Sequence, residues 1–172
     1  MSEPRRQDRL VLGVDPGLSG ALAFYAPASG EVEVFDMPTH VITQGQRRTQ
    51  RSVLDDHQLA ALIRDRAHRV KLAVVEEVSA GPKQGATSMF RFGEAYGAAR
   101  LAVVAAGIPL ELVRPSVWKR VMRVSADKDS SRRRASQLIP SASELWSRKK
   151  DDGRAEAALL ALLGERMWRD FL

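Results

Sequence analysis

The chain has 172 residues, no cysteine and three histidines, enough for one domain with a real core and a composition that excludes a disulfide scaffold, thiolate metal ligation and cysteine catalysis. Its net charge of +6 is unevenly spread: residues 1–86 hold 11 basic against 11 acidic side chains, residues 87–172 hold 16 against 10, and Arg114 to Arg154 holds 12 against 5. Such a concentrated field favours a polyanionic partner, because each neutralised phosphate releases counterions, although a solubilising surface would account for the composition alone.

The N-terminal MSEPRRQDRL is basic but runs into a strand without an apolar signal segment, and no run approaches 18 apolar residues. A soluble, intracellular protein that is not secreted and has no membrane partner is expected. Residues 11–14 (VLGV) read as a strand closing on Asp15, followed by a Pro16-Gly17 turn. Residues 20–25 and 32–37 read as two more strands, with residues 27–30 as the turn between them. Residues 39–52 (THVITQGQRRTQRS) are polar, basic and aperiodic, which predicts a mobile loop.

Asp55 or Asp56 is placed to cap a helix whose apolar stripe is Leu59, Leu62, Ile63 and Ala67. Residues 72–75 form a β-branched run ending at Glu76, and residues 87–106 an alanine-rich helix stopped by Gly107-Ile108-Pro109. A strand over 110–113 follows, then a helical turn from Pro115 with Trp118 and Lys119, and a helix from Ser130 or Ser131 that ends before Pro140. The last helix starts near Asp151 or Asp152 and turns Ala155, Leu159, Leu160, Leu162 and Leu163 to the core. Hairpin-linked strands followed by strands alternating with helices predict a single α/β domain over 1–172, with a mixed sheet covered on both faces.

Asp15 and Glu76 stand at the carboxyl ends of separate apolar strands, the edge where open α/β sheets build sites. The plainer alternative for Asp15 is a carboxylate accepting the amides of Gly17 and Leu18. Asp152 and Glu156 are four apart at the start of an apolar helix, a spacing at which like charges repel unless a cation sits between them. The plainer alternative makes Asp152 an N-cap and Glu156 a solvated residue, but Ala155, Ala157 and Ala158 flank that glutamate. Four carboxylates without histidine partners form a hard oxygen set suited to Mg²⁺, with Mn²⁺ as substitute, rather than zinc. Two such ions about 4 Å apart serve phosphodiester hydrolysis.

VLGVDPGLSGALA at 11–23, VVEEV at 74–78 and DDGRAEAALLAL at 151–162, together with MFRFGEAYG at 89–97 and RPSVWK at 114–119, resemble the RuvC-type Holliday junction resolvases of the ribonuclease-H-like superfamily, nearest their phage-borne and organellar branches. The resemblance spans about residues 10–164 with its motifs in order. It implies a five-stranded mixed sheet with helices on both faces, a homodimer, two metal ions per active site, and paired symmetric nicks across four-way DNA junctions. A bacterial or phage-host cytoplasm is expected ahead of an organelle, and no organic cofactor is expected. Asp15, Glu76 and Glu156 fall on the family's acids, with Glu77 turned to the opposite face. The remaining acid usually lies three residues before the last, where this chain has Gly153; Asp152 is the nearest substitute and Asp151 the next. Ser79 stands where many bacterial members carry an aromatic at the junction centre, which leaves Phe90 or Phe92 for that wedge.

Lys119 is expected at the backbone near the scissile phosphate, held by Trp118, or else is a solvated lysine after a core tryptophan. Lys128, Arg132, Arg133 and Arg134 form the densest candidate phosphate-binding cluster, followed by Lys83, Arg91, Arg148, Lys149 and Lys150. The long helix with Met89, Phe90, Phe92 and Tyr96 is the expected dimer element, or else an internal core helix. Two other expectations compete: a related nuclease for flaps, forks or RNA–DNA hybrids, and a non-catalytic protein that binds branched DNA.

Overall fold

The structure, a computed structural model, describes residues 9–44, 48–79, 85–127 and 129–169. In chain order come β1 (Leu10–Asp15), β2 (Ala21–Ala26), β3 (Glu31–Asp36), β4 (Thr39–Gln44), β5 (Thr49–Leu54), α1 (Asp56–Arg66) and β6 (Val70–Glu76). They are followed by α2 (Ala86–Ala105), β7 (Leu110–Val113), α3 (Pro115–Met122), α4 (Ser130–Leu138), two 3-10 turns (Pro140–Trp146 and Lys149–Asp151) and α5 (Asp152–Arg169). Asp55 caps α1, accepting the Gln58 amide at 2.9 Å. Among the described residues no helix is long and apolar enough to cross a membrane.

Five strands form one mixed sheet in the order β3-β2-β1-β6-β7, antiparallel among the first three and parallel from β1 to β7. The two-residue period of a strand divides its side chains between two cores. Ala21, Ala23, Leu72 and Val74 pack with Trp118, Ala135 and the apolar side of α5. Leu12, Val14, Leu22, Phe24, Ala73 and Val75 pack with Leu59 and Ile63 of α1 and with Ala99 and Val103 of α2. The sheet is therefore covered on both faces, as the strand–helix alternation predicts.

α5 lies so close to β1 that only small residues fit at the crossing. A Cβ on Gly13 would collide with the Ala157 carbonyl oxygen and the Ala161 amide nitrogen. One on Gly164 would come within 2.7 Å of both Val11 Cγ1 and Val74 Cγ2. The alanines beside Glu156 thus serve backbone proximity, which carries the start of α5 to the edge where β1 ends.

The stretch over 39–52 is not the irregular loop that its composition predicts. Thr39–Gln44 and Thr49–Leu54 pair antiparallel as a separate two-stranded sheet. Most of its side chains are exposed, so no core face imprints an apolar alternation, and the backbone hydrogen bonds that define the ribbon leave no trace in hydropathy.

Candidate active site

β1 and β6 run parallel as neighbours, with Val14 opposite Val75, so their carboxyl ends bring Asp15 and Glu76 to one edge. Both acids have the parity of the residues that face α5. Glu156, in the first turns of α5, is the third member. Asp15 feels repulsion from Glu76 and from Glu156, and Glu76 feels it from Glu156.

This crowding shows in their acidity. Burial, then the charges of Glu76 and Glu156, push the Asp15 carboxyl up to about 7, against smaller opposing contributions from the Gly17 amide and Lys119. Burial also raises Glu76, partly offset by the Trp118 indole N–H, which donates to its Oε1 at 2.8 Å. The amide of Gly17 donates to Asp15 Oδ1 at 3.4 Å, so the plainer role of that aspartate coexists with its place in the trio.

The neighbours of these acids come from α3 and α4. Trp118 is fully buried, and Lys119 Nζ lies 3.0 Å from Glu156 Oε1 and 5.1 Å from the Trp118 ring centroid. Ser131 donates to Glu156 Oε1 at 2.8 Å. Sequence reasoning missed Ser131, and its only signal was its place at the start of a helix beside three arginines.

The segment from Asp151 to Arg154 fixes the entry of α5. Asp151 is buried in a capping box with Arg148, whose guanidinium and backbone amide hold its carboxyl below the usual range. Both of its carboxylate oxygens are thereby engaged by Arg148. Asp152 Oδ1 accepts Arg132 Nε at 2.8 Å, and Arg132 also pairs with Asp129 and donates to Ser147 O at 3.2 Å. Arg154 grips Asp36 through two 2.6 Å hydrogen bonds. A Cβ on Gly153 would lie 2.7 Å from Ser19 O and 3.0 Å from Asp15 Oδ2, so at this backbone position there is no room for a carboxylate side chain.

Several of the arginines expected on DNA are engaged within the fold instead. Arg132 ties α4 to the start of α5, and Arg134 donates to Met122 O at 2.7 Å and to Gln137 at 3.1 Å. Arg133 is exposed except for Asp127 at 3.3 Å, and Lys149 and Lys150 are exposed beside the Asp151–Arg148 box. Arg91 and Phe92 line a groove next to Gly17, whereas Phe90 projects into solvent. Lys83 and Lys128 lie outside the described residues. Glu77 points toward Arg114, 3.9 Å away, and Ser79 is exposed.

Among the described residues no three acidic or histidine side chains are drawn together tightly enough to grip an ion as they stand. Glu76 leans on Trp118, Glu156 on Lys119 and Ser131, and Asp152 on Arg132. The donor chemistry nevertheless fits a hard divalent cation: the acids are all-oxygen, and two of them bear raised proton affinities caused by burial and mutual repulsion, which a cation would relieve.

A linked effect on stability is expected. The folded Asp15 carboxyl keeps its proton up to about 7 and an unfolded aspartate only to 3.8, so metal-free stability falls as pH rises between those values. Asp15→Asn should therefore raise the Tm at pH 8 by roughly 5 °C, with the gain fading below pH ~4. Melting curves of both proteins in chelator across that range check it; a difference independent of pH would contradict it.

No protein-family model matches the sequence, and neither does any curated protein. The chain is similar in structure to Thermus thermophilus RuvC in complex with Holliday junction substrate, with TM-score 0.60 and 17% identity over 94% of this chain and 96% of that one. A second Thermus thermophilus RuvC structure gives TM-score 0.56 and 19% identity over 94% and 96%. The yeast mitochondrial Holliday junction resolvase Ydc2 gives 0.48 and 19% over 98% and 87%. With its five-stranded mixed sheet and flanking helices, the chain has the ribonuclease-H-like fold of the RuvC structures.

Proposed function

We propose that the chain is a divalent-metal-dependent DNA endonuclease that resolves four-way junctions as a homodimer. The observation that carries this reading is the trio of Asp15, Glu76 and Glu156, crowded and partly desolvated at the carboxyl edge of a ribonuclease-H-like sheet. Asp15, Glu76 and Glu156 would hold the ions, and Asp152 would join once its carboxylate leaves Arg132. Two Mg²⁺ ions held there, or Mn²⁺ in their place, would supply an activated water on one side of the phosphodiester and charge stabilisation on the other.

The chain's own residues do the rest. Lys119 is partly exposed and among the described residues pairs with the Glu156 carboxylate, which leaves it further ammonium protons for a phosphate oxygen at the trio. Trp118 and Ser131 fix the rotamers of Glu76 and Glu156. Arg133, Lys149 and Lys150 provide an exposed positive surface that steers the DNA backbone inward.

A dimer is supported by α2. Ala95, Ala99 and Val103 face the core, while Phe90 (68% exposed), Leu101 (68%) and Val104 (58%) share the outer side with Gly97, where a Cβ would meet nothing within 4 Å. Residues at this spacing form one stripe along a helix, and a small residue within it lets a second helix approach. A two-fold dimer presents two identical sites to a substrate of near two-fold symmetry.

The test is cleavage in Mg²⁺ of a four-way junction, a flap, a duplex and an RNA–DNA hybrid, with preference for the junction expected. On a supercoiled plasmid bearing an extruded junction the wild type should give linear product, and a heterodimer with one Asp15→Asn subunit mainly nicks. A monomer on and off DNA that nicks at random would replace this reading with the flap or fork nuclease. Junction binding without cleavage in any divalent ion would leave a non-catalytic DNA-binding protein.

A further inference from the structure

Among the described residues β4 and β5 pair only with each other. One face of this ribbon carries Val41, Thr43, Gln50 and Ser52, all exposed. From Thr39 to Leu54 there is no acidic residue; Arg48 is exposed at the turn, whereas Arg51 is half-buried on the opposite face of the ribbon, paired with Ile42. Natural surfaces usually mix both signs of charge, so an acid-free exposed ribbon points to an anionic partner.

The base of the ribbon is one wall of an open groove of about 800 Å³, whose other walls are the turn after β1 and the first turns of α2. Ser19, Ser52, Thr87 and Ser88 bring hydroxyls to it, Arg91 a guanidinium and Phe92 an aromatic ring; among the described residues no acidic side chain lines it, and Glu94 lies in the adjoining pocket beyond Arg91. α2 opens at Gly85 without a side-chain cap and without an acid in its first turn, and the free N–H groups of a helix start favour an anion. Gly17 joins the groove to the acidic trio: it lines the groove, and its amide reaches Asp15 Oδ1 at 3.4 Å.

We propose that this groove and the β4–β5 ribbon hold the sugar–phosphate backbone of the DNA next to the scissile position, a binding surface additional to the five-stranded core. The proposal rests on the nuclease reading above and names where its substrate continues. Hydroxyls, a helix N-terminus and arginine recognise phosphate oxygens, and the Phe92 ring offers a base a stacking face. A second copy of the chain fits less well, since its own ribbon would bring the same acid-free, basic segment against this one.

Binding is measured in chelator, so that no cleavage intervenes, with a fluorescent four-way junction titrated at several salt concentrations. Arg48→Ala combined with Arg91→Ala should weaken binding about tenfold and lower the salt slope by roughly 0.9 for each phosphate left without its arginine. Gln50→Lys, at an exposed ribbon position, should tighten binding and steepen the slope by about 0.9, a gain that misfolding cannot imitate. Unchanged affinity and slope in both variants would overturn the proposal, as would a change in oligomeric state with DNA affinity per dimer unaltered. Wild-type protein that shows these slopes yet never cuts in Mg²⁺ would support the groove while removing the nuclease reading.

Discussion

Asp15→Asn is expected to lower junction cleavage by about a thousandfold while leaving junction affinity within a few fold. The amide keeps the volume and the Gly17 contact but removes a charge from a buried position, and charge is what a hard cation binds. Metal stabilisation of a phosphoryl transition state is worth several kcal/mol, and ~4 kcal/mol corresponds to about three orders of magnitude in rate. Glu76→Gln and Glu156→Gln should behave alike, because each acid belongs to the same repelling set. Asp152→Asn should cost less, roughly tenfold, since its carboxylate rests on Arg132 and must leave that pair before it can bind an ion. Single-turnover cleavage at saturating DNA, paired with binding in chelator, separates the two effects. Wild-type rates from Glu76→Gln would remove that glutamate from the site.

Gly13→Val is expected to be the most damaging single substitution for stability. Its Cβ would occupy space held by the backbone of α5 at Ala157 and Ala161, and backbone cannot rotate aside as a side chain can. Overpacking of this kind costs roughly 3 kcal/mol or more, about 10 °C in Tm for a chain of this length. The displaced element is the helix that carries Glu156, so any folded remainder should also have lost its cleavage activity. Gly93→Ala is the contrast: it stands in α2 with nothing within 4 Å of an added Cβ, and alanine should stabilise the helix by about 1 kcal/mol. Melting curves of the two variants check both signs, and a Gly13→Val protein that melts like the wild type would show that α5 does not lie directly on β1.

Much of the architecture was legible because burial writes periodicity into a chain. β1, β2 and β6 are buried on both faces and appear as short apolar runs; α5 carries a continuous apolar stripe. The β4–β5 ribbon was not legible, since backbone pairing without a buried face leaves no alternation to read. The same reason hid the roles of the arginines. Composition placed Arg132, Arg133 and Arg134 together, but only packing shows that Arg132 spans Asp129 and Asp152 and that Arg134 holds the end of α3, leaving Arg133 as the outward member.

The sequence by itself determined the fold class and the positions of Asp15, Glu76 and Glu156, because an acid ending an apolar strand, or standing among alanines in a buried helix, is conspicuous against its neighbours. Only the tertiary structure decided the state of those acids. Their raised proton affinities, at Asp15 and Glu76, come from burial and from charges contributed by β1, β6 and α5 together. The hydrogen bonds from Trp118 to Glu76, from Ser131 to Glu156 and from Arg132 to Asp152 span between 20 and 42 residues of chain. Asp151 and Asp152 are adjacent and chemically identical, yet one is buried against Arg148 and the other faces Arg132. A one-residue step along the turn into α5 changes the direction of a side chain by about 100°, and which direction meets which arginine is a property of the packed molecule.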